Sequence, residues 1–207
     1  MATNSMNIKN RKADNVSQNS LLKWNDRHIG QDIFVVGSSP QLLDIDTYQL
    51  AALEKCIIVG GNCTFYKIPL TYFLSAYTPH VLLASLYLQN DQLIKLDSLK
   101  EKTKIPFVEH LTRTIYSEIP GLTRYLTQEK PYIMTLQNQI LAITHLAAIM
   151  GAKRIIFLGV DQRNHSYFWQ KDQKIIKYLR QDLHKIQKTK YSQYYDLLDC
   201  KELFDNL

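Results

Sequence analysis

Apolar residues along this chain gather into short continuous runs separated by stretches of helical spacing. Asp32–Val36 (DIFVV), Cys56–Val59 (CIIV) and Ile155–Leu158 (IIFL) are each closed by glycine. A short unbroken apolar run of this kind marks a strand buried on both faces, and glycine punctuates its end. Val81–Leu86 (VLLASL), after Thr78-Pro79-His80, reads as a third strand. Lys104–Val108 (KIPFV), Tyr132–Thr135 (YIMT) and Tyr195–Leu198 (YDLL) are predicted as further strands. Between these runs the period changes. Leu42–Asp46 and Tyr48–Leu53 suggest short helical segments, and Gln137–Met150 (QNQILAITHLAAIM) repeats its apolar residues at helical spacing until Gly151 stops it. Lys171–Gln187 is predicted as another helix. Continuous strands alternating with helices specify an α/β fold: a Rossmann-like open, mainly parallel sheet with helices on both faces.

Composition refines this picture. With 207 residues, 45% of them apolar, the chain can bury one good core. Its first residues are rich in Asn, Ser and Lys, so residues 1–22 are expected to be a flexible segment and residues 23–207 the nucleotide-binding domain. The 25 basic against 19 acidic residues give a net charge of +6, which suits a polyanionic ligand, nucleic acid or an acidic membrane surface. Much of the surplus lies in Lys171–Lys190, where bases alternate with apolar residues; this is either a solvated helix face or a peripheral membrane contact. Cys56, Cys63 and Cys200 lack metal-ligand spacing and do not suggest a disulfide framework. The N-terminal stretch has no apolar core of a secretory signal, and no run approaches the roughly 20 apolar residues of a membrane span. A cytoplasmic protein, membrane-peripheral at most, is expected.

In a parallel sheet, ligands bind beyond the carboxyl ends of the strands. The expected strand ends are Gly37-Ser38-Ser39, Gly60-Gly61-Asn62, Ala84-Ser85 and Gly159-Val160-Asp161. At the first, glycine permits a sharp turn, and two hydroxyls beside unpaired backbone N–H groups would favour a phosphate. An ordinary strand-to-helix turn has the same composition. The turn is neither GxGxxG nor GxxxxGK[ST]. Asn62 could read a base or sugar hydroxyl or cap a helix, and Asp161 could take sugar hydroxyls, a metal or a helix N-terminus. His165, just past Asp161, is placed to act as a general acid or base. His145 reads as a core histidine. His80, preceding the expected third strand, is assigned to the opposite edge of the sheet.

These residues resemble a family. IFVVGSSPQLLDID is similar to the opening strand and turn of bacterial sialyltransferases of the Campylobacter and Haemophilus type, and MptE-like pyrophosphokinases share related patterns. GGNCTFY resembles that family's C-N-x-F-Y segment, and NQILAITHLAAIMGAKRIIFLGVD its second signature, which ends in G-[IV]-D. The likeness covers most of residues 32–161. It implies that Gly37, Ser38, Ser39 and Gln41 line the phosphate and ribose of a CMP-sugar donor. Asn62 would hold the nucleotide, Asn138 and Gln139 the donor phosphate, with Asp161 at the same edge. The departures lie in chemistry: Ser38-Ser39 stand for Asn-Gly, Gln41 and Gln139 for serines, and Ala84-Ser85 for Asn-Pro. About ten residues separate Asp161 from the next helix, so the family's lid and its histidine are missing, and His165 is the nearby substitute. The resemblance therefore implies a sialyltransferase-like glycosyltransferase of surface polysaccharide or lipopolysaccharide synthesis, with a reduced lid. It would take a nucleotide-sugar donor and a glycan or glycolipid acceptor, require no metal or other cofactor, and be compatible with a homo-oligomer. The alternatives are a pyrophosphokinase, which would need Mg²⁺ and ATP, and a lidless nucleotide-binding module without catalysis.

Overall fold

A computed structural model of the chain describes residues 21–97, 105–114, 133–134, 138–161, 166–189 and 192. The strands are β1 (Asp32–Val36), β2 (Ile57–Gly60), β3 (Tyr72–Ser75), β4 (Leu93–Asp97), β5 (Glu109–Thr114), β6 (Ile133–Met134) and β7 (Arg154–Leu158). All six pairings are parallel, and the order across the sheet is β6-β5-β4-β3-β2-β1-β7. The chain thus steps outward from β1 to β6 and then returns to the far side of β1. That reversal makes the carboxyl end of β1 the topological switch point, where open α/β sheets bind ligands.

The helices are α1 (Thr47–Leu53), α2 (Thr78–Ala84), α3 (Gln139–Ile149), α4 (Phe168–Lys171) and α5 (Gln173–Gln187), with a 3₁₀ turn at Pro40–Asp44. They divide between the two faces of the sheet. On one face Leu42, Phe73, Val81–Ala84, Phe168, Leu179 and Leu183 form a continuous core. On the other, Ile33, Val35, Val59 and Leu74 pack against Ala142, Ile143 and Leu146 of α3 and against Trp24. Side chains alternate across a strand, so β1 sends Ile33 and Val35 one way and Val36 the other. Both faces are covered, which is why these strands read as unbroken apolar runs. The α/β, Rossmann-like expectation is met.

Several local readings change. Val81–Leu86 is not the third strand: residues 78–84 are α2, begun by Pro79 within its first turn, and the strand is the preceding Tyr72–Ser75. Ala84 and Ser85 therefore stand at a helix C-terminus rather than at a strand end. His80 lies in the first turn after β3, on the carboxyl side of the sheet, not on the opposite edge. Residues 105–108 precede β5, which runs through the more polar Glu109–Thr114 in place of KIPFV. β4 was not anticipated, because Lys95 and Asp97 interrupt its apolar pattern although both are buried. The YDLL run lies outside the described residues. Leu21 is 8% exposed and packs with Trp24, so packing begins within the segment assigned to the flexible lead-in. Among the described residues no helix is long and apolar enough to cross a membrane.

Candidate functional site

At the exit of β1 the chain is held tightly to β7. The Gly37 amide donates to the Leu158 carbonyl at 2.8 Å and the Ser39 amide to the Gly159 carbonyl at 2.9 Å. A β-carbon on Gly37 would collide with the Gly159 carbonyl and lie 2.9 Å from Val160 Cγ2. The glycine is thus required by the close approach of β7, independently of any ligand. Ser39 is buried and caps the 3₁₀ turn, its Oγ accepting from the Gln41 amide at 3.3 Å. The Gly37, Ser39 and Gln41 amides are all engaged within the protein, so the expected set of unpaired phosphate-binding N–H groups is not formed by these three. Gln41 itself is exposed on the turn.

Ser38 behaves differently. Its carbonyl accepts from the Phe168 amide at 3.0 Å, tying α4 to the turn, while its hydroxyl reaches the exit of β2. There Asn62 Nδ2 donates to Ser38 Oγ at 3.1 Å. Asn62 has φ of 53°, a left-handed conformation that asparagine tolerates better than most residues. Gly61 precedes it for a steric reason: a β-carbon there would overlap the Gln139 amide and lie 2.7 Å from the Leu74 carbonyl. Gln139, the first residue of α3, donates through Nε2 to that Leu74 carbonyl of β3. Asn138 caps the helix, its side chain accepting from the Ile140 amide at 2.9 Å. Ser38, Asn62 and Gln139, which are 101 residues apart at the widest (38 to 139), therefore meet across the exits of β1, β2 and β3.

The chemistry of this cluster follows from which ends of its side chains are used. Gln139 Nε2 is spent on a carbonyl, which leaves its amide oxygen as the acceptor end of the side chain. Asn62 likewise has one end of its amide fixed on Ser38 and the other to offer, and the Ser38 hydroxyl retains its proton to donate. A neutral set of two amides and one hydroxyl suits the hydroxyls of a ribose or sugar and the edge of a base better than a bare phosphate. Asp161 is half-buried at the exit of β7. His165 lies outside the described residues. His145 is 5% exposed within α3, as a packing role requires.

Two further polar features stand outside that cluster. Ser75, Lys95 and His110 stand in register across β3, β4 and β5. Asp97, two residues beyond Lys95, has its carboxylate 3.5 Å from Lys95 Nζ and 2.8 Å from His110 Nδ1. His110 Nε2 lies 2.9 Å from the Ile105 carbonyl and 3.1 Å from the Ile105 amide. His110 thereby ties the end of β4 to the residue leading into β5. The alternation in LIKLD was the available signal, since Lys95 and Asp97 share one face of a strand. The second is His80, 7% exposed, whose two ring nitrogens are buried without a hydrogen-bond partner among the described residues. Burial holds its imidazole down to about 4, so it is neutral at physiological pH. Among the described residues no group of three His, Cys, Asp or Glu could hold a metal ion.

Comparison with protein-family models, with curated protein sequences and with solved structures finds no match to this chain.

Proposed function

We propose that the chain is a sialyltransferase-like glycosyltransferase that holds a nucleotide sugar, most simply a CMP-sugar, at the exits of β1, β2 and β3. The observation that supports this reading is the meeting of Ser38, Asn62 and Gln139 at the switch point, with Gly61 kept small so that the Gln139 amide can lie against the β2 turn. These are residues on which the sequence resemblance places the donor. In this reading Asn62 and Gln139 accept from ribose or base, Ser38 donates, and His165 takes the proton of the acceptor hydroxyl while the nucleotide phosphate leaves. The acceptor is a glycan or glycolipid.

One observation favours a second reading, a nucleotide-binding module without transferase activity. The backbone amides of Gly37, Ser39 and Gln41 are already used inside the protein, leaving less to stabilise a departing phosphate. A thermal-shift series with CMP, UDP, GDP and ATP, followed by a transfer and hydrolysis assay with the corresponding nucleotide sugars, separates the two. A ligand at about 100 times its Kd adds roughly 2.7 kcal/mol, or about 5–10 °C for a domain of this size. Stabilisation by CMP with sugar transfer supports the enzyme, and stabilisation without transfer supports the module. If no nucleotide shifts the melting temperature, both readings fail.

A further inference from the structure

Helix α5 is amphipathic, and its two sides have different fates. Ile175, Ile176, Leu179, Leu183 and Ile186 are buried in the core, together with Asp182. The opposite arc exposes Lys174, Lys177, Arg180 and Lys185, followed by Lys188 at the C-cap. A solvated helix ordinarily intersperses carboxylates among such cations. Here the exposed arc has none: Asp182 is buried and is paired with Lys185 at 2.7 Å and with the hydroxyls of Tyr66 and Tyr87. No carboxylate of the described residues pairs with Lys174, Lys177, Arg180 or Lys188. From Lys174 to Lys188 the stripe runs about 21 Å at the helical rise of roughly 1.5 Å per residue.

We propose that this exposed face of α5 is a docking surface for an anionic lipid bilayer. Charge complementarity carries the proposal, because a cluster of four to eight Lys and Arg on one amphipathic helix is the usual footprint of acidic headgroups. The helix is held along its whole length by its buried residues, so its cations lie in one stripe along the surface, an arrangement that suits a plane of acidic headgroups. Tyr178 is the one exposed aromatic on the arc, too few to build a stacking platform for single strands. α4 packs on the 3₁₀ turn after β1 and α5 follows it directly, so a docked bilayer lies beside the Ser38 edge.

The full-length protein is sedimented with phosphatidylcholine vesicles, with and without phosphatidylserine, at low and high salt. Binding is expected only with phosphatidylserine and is lost at high salt. Each Lys contributes about fivefold near such a surface, so Lys177→Gln with Lys188→Gln should weaken binding by about 25-fold. Both side chains are exposed, and the melting temperature should not move. Lys55→Gln with Lys153→Gln, two exposed cations elsewhere, should bind as wild type. Absence of binding to the acidic vesicles, or equal weakening by both pairs, overturns the proposal. Tighter binding to a duplex oligonucleotide than to the vesicles in the same buffer also overturns it and gives the face to nucleic acid. The measurement needs no nucleotide, so its outcome is separate from that of the donor site.

Discussion

Acid should unfold this protein partly through one buried imidazole. His80 has both nitrogens buried and without a partner among the described residues, and its folded-state value is held down to about 4 from an ordinary 6.5. Desolvation is the cause, since a charged ring would have neither water nor a partner. A histidine depressed in the folded state favours folding fully above its unfolded value and loses that contribution as pH falls from 6.5 toward 4. The difference of two and a half pH units corresponds to about 3 kcal/mol when complete, of which about 2 kcal/mol is gone by pH 5. His80→Leu isolates this share, because leucine fits a buried helix and carries nothing to titrate. At pH 7.5 the substitution should be neutral or stabilising, since it removes two buried polar atoms that have no partner. Urea midpoints of the two proteins, measured at pH 7.5, 6 and 5, should then diverge by about 2 kcal/mol, with wild type falling faster. Parallel curves would show that the ring is solvated or paired, and the assigned environment of His80 would be wrong.

The site predictions test separate parts of the cluster. Asn62→Gly preserves the left-handed backbone and strips the amide, so the fold should be nearly unaffected while CMP-induced stabilisation drops sharply; an unchanged thermal shift would remove Asn62 from the site. Gly61→Ala puts a methyl against the Gln139 amide and should cost about 1–3 kcal/mol in chemical denaturation, partly restored by adding Gln139→Ala. His165→Ala should lower transferase turnover by about 10²–10⁴-fold and leave the CMP thermal shift in place, and full activity in that variant would exclude the histidine as base.

The parts of the fold legible in the sequence were those whose pattern had one cause. β1 and β2 are continuous apolar runs because both faces are covered, β7 is such a run although its Phe157 is 53% exposed, and α3 was bounded to within two residues by its own spacing and Gly151. β3 and α2 were misread for the opposite reason. Every residue of Tyr72–Ser75 and of Pro79–Ala84 is buried, so neither the period of two nor that of 3.6 survives as a contrast between apolar and polar. Only Thr78-Pro79, a helix-start signal, separated strand from helix. β4 was missed because its polar positions are held inward by the Lys95–Asp97 ion pair and by the contact of Asp97 with His110 of the next strand.

The candidate site shows the same limit more sharply. Gly37 and Ser39 looked like a phosphate turn, yet their small size and their amides answer to β7, which enters the sheet about 120 residues later in the chain. No local pattern at positions 37–39 can distinguish a glycine required by a neighbouring strand from one required by a ligand. Asn62 was ambiguous in sequence between a cap and a reader of ligand. The structure supplies a strained backbone angle and a side chain turned toward Ser38, and neither helps a helix begin. If the donor is held here, its recognition therefore rests on ribose and base more than on phosphate. Free cytidine should then bind within about tenfold of CMP, measured by calorimetry. A loss of several hundredfold on removing the phosphate would instead return the main contact to anion-binding groups outside Ser38, Asn62 and Gln139.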